Sequence, residues 1–332
     1  MALEGKELRI VQNVVNGIFK NVRNKQYDCM VNGCNHKAIN SHILMQNGIL
    51  NFVAEKGKVV ELRARAIEAF RKEDRNFGFK EVGVSQALSL PLFCNCHDTT
   101  LFEEIEKQAV NYSNYRHLSL FCYRALCAAI RKKEMDVERD SRMKNSNVLN
   151  DLFPEYIRYL ASKEYATQLA LSDLNYYRNE FLCDLSNNRE SFSFHKFVLP
   201  IKGVYISTSS NMFLTEEEAM SPNTANLLFI HLIPTSVNTI LLFGFHRSHI
   251  NPNYIPYIKR WENANISDIG HMLTGILIQS ENWGMSPSLY AELSKQAEEE
   301  FYRLYKWDVK QLNQEPYEKL NLFDGVFLNQ NK

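Results

Sequence analysis

Apolar positions recur every three or four residues through the opening segment. Across residues 4–24 (EGKELRIVQNVVNGIFKNVRN), Leu8, Val11, Val14, Val15, Ile18 and Val22 form one stripe, which predicts an amphipathic helix. Residues 25–50 lose that rhythm, and the pattern there predicts an irregular turn or a short helix. GKVVELRARAIEAF (57–70) and FKEVGVSQALSLPLF (79–93) each open with β-branched residues and predict two strands, with the polar RKEDRNFG between them as a turn. DTTLFEEIEKQAVNY then predicts a helix capped by Asp98 or Thr99. Residues 113–140 read as a long helix whose charged end, RKKEMDVERDSRMK, is a solvated face. The polar patch KNSNVLND (144–151) reads as a linker, and residues 153–185 as one long helix or a helix pair.

The texture then changes. SFSFHKFVLPIKGVYIST and NLLFIHLIP…TILLFGFH are rich in β-branched and aromatic residues and predict antiparallel strands; the last ninety residues return to helical periodicity. The longest apolar stretch, ANLLFIHLIPTSVNTILLFGF, is interrupted by His231, Pro234, Thr235, Ser236 and Asn238, so it predicts two strands and a turn instead of a membrane span. The predicted fold class is α+β: a zinc-knuckle, ββα-metal-like module with its N-terminal helix (1–112), a helical connector (113–150) and an α+β domain of antiparallel strands and helices (151–332).

Composition changes this picture little. With 332 residues, 45% hydrophobic and 23% charged, the chain is an ordinary globular sequence. No signal-peptide pattern opens it, which predicts a cytoplasmic protein. Formal net charge is zero, but residues 1–150 carry 23 Lys+Arg against 17 Asp+Glu, and the remainder carries the opposite excess. A basic half is compatible with nucleic acid. No P-loop, G-x-G-x-x-G or G-x-S-x-G occurs, and the 13 glycines do not cluster as a phosphate cradle needs, which disfavours a nucleotide-dependent enzyme or an α/β-hydrolase.

Cysteine placement is more informative. The count of seven is odd and argues against a disulfide framework. Cys122, Cys127 and Cys183 fall in apolar helical segments and read as buried thiols. Cys29 and Cys34 form a C-x4-C pair, and Cys94 with His97 forms C-x2-H; two such pairs match the two-loop supply of a tetrahedral zinc site. Cys96 is an alternative to His97, and His36 a spare ligand. His42, just beyond the first pair, could take a proton from water, and Asp98, just beyond the second, could hold a divalent cation. Elsewhere, His246 and His249 read as polar residues at a strand end, while Asn263, His271, Glu281 and Asn282 cap helices or bind a ligand.

These residues resemble the zinc-containing branch of the HNH nucleases, within the ββα-metal (His-Me finger) group. The likeness covers residues 26–107 and rests on Cys29 and Cys34, then Ser41-His42, then Cys94 and His97 leading into LFEEIE. It implies a structural Zn2+ on Cys29, Cys34, Cys94 and His97, His42 as general base, and a catalytic Mg2+ or Mn2+ helped by Asp98. It further implies metal-dependent cleavage of nucleic acid, DNA before RNA, with the C-terminal domain free to engage a protein partner. The alternative is a catalytically inactive zinc-stabilised module that binds nucleic acid or protein. Three positions depart from the family pattern. Ser41 stands where the family has Asp, Asp98 stands where it has a final His, and only Asn76 and Asn95 are candidates for its central Asn. FCNCHDTTLFEEIE and AINSHIL also resemble uncharacterised bacterial proteins of similar length, some associated with phage defence.

Overall fold

The computed structural model describes residues 5–64, 77–107, 110–308 and 316–329. The N-terminal stripe forms α1 (Gly5–Asn24), which buries Val11, Val15, Ile18 and Val22 as expected. There follow β1 (Asn40–His42), β2 (Lys58–Ala64), β3 (Phe77–Gly83) and β4 (Ser89–Pro91), then α2 (Asn95–Leu101) and α3 (Glu103–Glu106). Next come α4 (Tyr115–Lys144), α5 (Asn147–Leu152), α6 (Pro154–Ser162) and α7 (Glu164–Asn187). The remainder is β5 (Phe192–Leu199), β6 (Val204–Ser210), α8 (Glu216–Ala219), β7 (Leu228–Pro234), β8 (Thr239–His246), α9 (Tyr254–Arg260), α10 (Ile266–Ile278), β9 (Trp283–Met285), α11 (Pro287–Glu292), α12 (Lys295–Asp308) and α13 (Val326–Asn329). No described helix is long and apolar enough to cross a membrane.

The class is mixed α/β with antiparallel sheets, as expected. The main sheet runs β3-β2-β9-β6-β7-β8-β5, and β1 pairs with β4 in a separate ribbon. Residues alternate between the two faces of the main sheet. In β7, Phe229 and Ile233 face the core shared with α4 and α7, while Leu228, Ile230 and Leu232 face α9, α10 and α12. Helices cover both faces, so β7 and β8 are buried at every position and read as near-continuous apolar runs. The first half of α4, LSLFCYRALCAAI, is apolar all round because it lies between the sheet and α7.

Two expectations are corrected. The segment read as a linker, KNSNVLND, contains α5: the Ser146 side chain accepts from the Leu149 amide and Leu149 is fully buried, so its polar residues cap a helix. The helix after the second cysteine pair begins at Asn95 with Cys94 at the cap, not at Asp98 or Thr99. Across the boundaries expected at 112/113 and 150/151, β2 and β3 join a sheet whose other strands come from residues 192–285. Part of the turn expected at 71–78, including Asn76, lies outside the described residues.

Two polar groups sit inside this core. Gly284 of β9 lies opposite Glu61 of β2 and Tyr205 of β6. Having no side chain, it lets the Tyr205 ring cross β9 and donate to Glu61 Oε1 at 2.9 Å. Glu61, 3% exposed, also accepts from the Leu88 amide at 2.9 Å and pairs with Arg63. Burial first and the Glu61 carboxylate second hold the Tyr205 phenol far above its ordinary pKa, so it remains a donor.

The second group is His231 of β7, fully buried between Ser207 Oγ (3.0 Å from Nδ1) and Cys122 Sγ (3.4 Å from Nε2). Burial pushes its pKa down to about 3. The folded chain therefore keeps His231 neutral where the unfolded chain, titrating near 6.5, takes up a proton. Its contribution is fully present above about pH 6.5 and is lost as the pH falls toward 3, at about 1.4 kcal/mol per pH unit. Urea unfolding between neutral pH and pH 4 checks this. His231→Gln is expected to flatten the slope by roughly one proton, and an unchanged slope would reassign the acid sensitivity to the carboxylates.

Candidate metal centre

The first cysteine pair is delivered by a folded turn. The Cys34 amide donates to Val31 O at 3.1 Å, closing a β-turn with Gly33 at φ +77°, the conformation the third position of a type II turn requires. The Cys29 amide donates to His36 O at 3.0 Å, and Met30 N to Leu92 O at 2.9 Å, so the turn is sewn to the chain entering α2. The buried Arg131 of α4 clamps it from below, donating to Asp28 O at 2.6 Å with its guanidinium over the Tyr27 ring. The second pair comes from the start of α2, with Cys94 at the cap position and His97 in the first turn.

These loops bring Cys29, Cys34, Cys94 and His97 together, with one ligand atom from each and all four atoms within 4.8 Å of one another. Cys34 Sγ lies 3.8 Å from Cys94 Sγ, and His97 Nδ1 lies 3.4 Å from Cys29 Sγ and 3.3 Å from Cys94 Sγ. A tetrahedron with Zn–S near 2.3 Å and Zn–N near 2.05 Å has S···S edges of about 3.8 Å and S···N edges of about 3.6 Å. The arrangement thus has the size a zinc ion needs, and its Cys3His donor set is the one structural zinc takes. The amide of His97, and then that of Cys96, is directed at the Cys94 thiol, and the first of these is the main reason its pKa falls below the ordinary value. Burial raises that of Cys29.

No protein-family model, curated protein or solved structure matches this chain. The metal-site expectation therefore stands on its own geometry. Among the described residues, no other group of three or more His, Cys, Asp and Glu brings its ligand atoms together in this way. Cys96 is exposed and outside the cluster, which leaves the fourth position to His97; His36 is exposed as well.

His42 and Asp98 are held by other partners. His42, half-buried on β1, has Nε2 3.1 Å from Val84 O. A carbonyl only accepts, so Nε2 is the donor in this contact. Ser41 beside it is fully buried and accepts from the Phe93 amide, so it supports the ribbon. Asp98 faces Arg124 Nη2 at 3.3 Å; that guanidinium also holds Glu106 at 2.7 Å and lies over the Phe102 ring. Arg124 is 1% exposed and needs those carboxylates, which commits Asp98 to the fold. Asn95 is exposed on α2. Sequence reasoning missed Arg124 and Arg131 as supports of the centre, although a lone arginine inside LSLFCYRALCAAI is itself a sign of a buried ion pair. His246 ends β8 as expected and lies 3.5 Å from Glu180, with His249 bonded to the Tyr176 hydroxyl.

Proposed function

We propose that this chain is a zinc-stabilised nucleic-acid-binding protein. In this reading Cys29 and Cys34 form a zinc knuckle, and Cys94 and His97 complete a structural site that fixes the knuckle, the β1–β4 ribbon and α2 as one unit. The observation that carries it is the convergence of the four ligand atoms at tetrahedral distances. The excess of 23 basic over 17 acidic residues in residues 1–150 supports a polyanionic partner. Binding of duplex DNA, single-stranded DNA and single-stranded RNA across a salt series, beside a zinc assay, tests it. Affinity that falls steeply with salt is expected; affinity for none of the three would end the proposal.

One observation favours a second reading, the HNH-type endonuclease. His42 Nε2 faces the Val84 carbonyl, and His42 sits on the first strand of a ribbon that leads into α2. A neutral imidazole held in this way would turn its Nδ1 lone pair to a proton, as a general base does. Asp98, the residue assigned to a catalytic Mg2+ or Mn2+, is instead paired with Arg124, which favours the binding reading. Incubation of plasmid DNA and single-stranded RNA with Mg2+ or Mn2+ separates the two. The binding reading expects no cleavage by wild type or by His42→Ala, with zinc content equal in both. Cleavage by wild type that His42→Ala abolishes would install the nuclease.

A further inference from the structure

A cleft of about 780 Å3 opens where α1, the middle of α4, the β1–β4 ribbon and the end of the main sheet meet. Its charged lining is unbalanced. Lys20, Arg23, Arg63, Lys132 and Arg139 contribute five cations, against Glu61, Asp136 and Glu281. The pairs within it are specific: Arg63 with Glu61, Lys132 with Glu281 at 3.1 Å, and Arg139 with Asp136 at 2.6 Å. The Lys132 charge holds the Glu281 carboxyl below its ordinary pKa. Lys20 and Arg23, three residues apart on α1 and exposed, make no ion pair with the described residues. The excess charge therefore stands at the mouth, on one helix face.

Aromatic residues share the rest of the lining with aliphatic ones such as Leu62, Leu88 and Met135. Phe19 of α1 and Phe77 of β3 are half-buried; Trp283 of β9 and Tyr305 of α12 are buried, and Tyr305 backs the Phe77 ring edge-on at 4.9 Å. Arg139 lies 5.7 Å from the Phe19 ring centroid, which places a guanidinium and a ring on the same wall. Half-buried rings beside cations that make no ion pair with the described residues match the two chemistries of a nucleotide, a base that stacks and a phosphate that takes charge-assisted hydrogen bonds. The volume is that of a small-ligand site, roughly 300–1,000 Å3, and does not admit a duplex. Glu281 and Asn282, read from the sequence as capping or ligand-binding residues, both line it.

We infer that this cleft binds a nucleotide unit, with Lys20 and Arg23 on its phosphate and the half-buried Phe19 and Phe77 rings on its base. The unit is either a free nucleotide or one residue of a single strand; side chains hold the phosphate, in keeping with the absence of a glycine-rich cradle. This deepens the nucleic-acid reading above and rests on it.

The test uses the full zinc-loaded chain, fluorescence anisotropy with a labelled single-stranded oligothymidylate, a labelled duplex, and calorimetry with adenosine triphosphate. Two variants accompany it. Lys20→Glu with Arg23→Glu reverses the unpaired charges, and Asn16→Trp fills the cleft from α1 without changing charge. Both keep the buried face of α1, and zinc content and melting are checked. The expected result is single-strand binding weakened about tenfold or more by each variant. Nucleotide binding without binding of the strand or the duplex would keep the cleft and overturn the nucleic-acid reading. Strand or duplex binding left unchanged by both variants would overturn the cleft and keep that reading. Binding of no probe would overturn both.

Discussion

Stripping zinc from the purified protein is expected to lower its stability by several kcal/mol and to release the turn of residues 29–34 from α2. The four ligands come from two loops some sixty residues apart, joined otherwise by a few main-chain hydrogen bonds such as Met30 N to Leu92 O. Structural zinc in small modules contributes roughly 10–16 kcal/mol of apparent binding energy, much of which appears as folding energy. Cys29 and Cys94 lie in one core with Leu92, Phe93 and Phe102, so the loss reaches beyond the turn. Removal of one ligand, Cys34→Ala, is expected to abolish stoichiometric zinc and to lower the melting temperature by about 10 °C or more. Cys96→Ser is expected to change neither. His97→Cys is expected to retain zinc, because a fourth thiolate suits the same tetrahedron. Metal analysis with thermal unfolding reads all three, and a Cys34→Ala protein that kept both zinc and stability would remove the centre.

Gly284→Ala is expected to cost about 3 kcal/mol, as much as many large core truncations. A Cβ at this position would overlap the Tyr205 hydroxyl and ring end and stand 2.7 Å from Val60 O, a backbone atom that cannot step aside. The Tyr205–Glu61 hydrogen bond would break, leaving a buried carboxylate short of a donor. Tyr205→Phe removes only the hydroxyl and is expected to cost about 1–2 kcal/mol. Denaturant unfolding of the two variants checks the ranking. A glycine variant milder than the phenylalanine one would mean that Gly284 is not the spacer that lets the ring across.

The Cys3His cluster was legible in the sequence because ligand spacing is a local property. C-x4-C closes within one turn, and C-x2-H fits the first turn of a helix, so neither pair needs knowledge of the rest of the chain. The same holds for α1, α4 and the β7–β8 hairpin, whose periodicity and length are contained in short windows. The main sheet was not legible, because Val60 pairs with Met285 and Glu61 with Gly284 across more than two hundred residues. No periodicity announces such a pairing, and β9 is only three residues long. α5 was hidden by composition: Ser and Asn favour turns and helix caps alike, and only the burial of Leu149 decides between them. Asp98 was read as available because its partner, Arg124, is distant in sequence.

The place of β9 has a consequence for how the chain is made. It is the strand that bridges β2 to β6, and it is made after both of them, more than two hundred residues downstream of β2. Until then, β2 with β3 and β5 through β8 are two unjoined half-sheets, each with an open edge where Trp283, Gly284 and Met285 will pair. The Cys3His cluster can close early, since its four residues are all made by residue 97. The main sheet cannot, and an elongating chain must shelter both edges until residues 283–285 arrive.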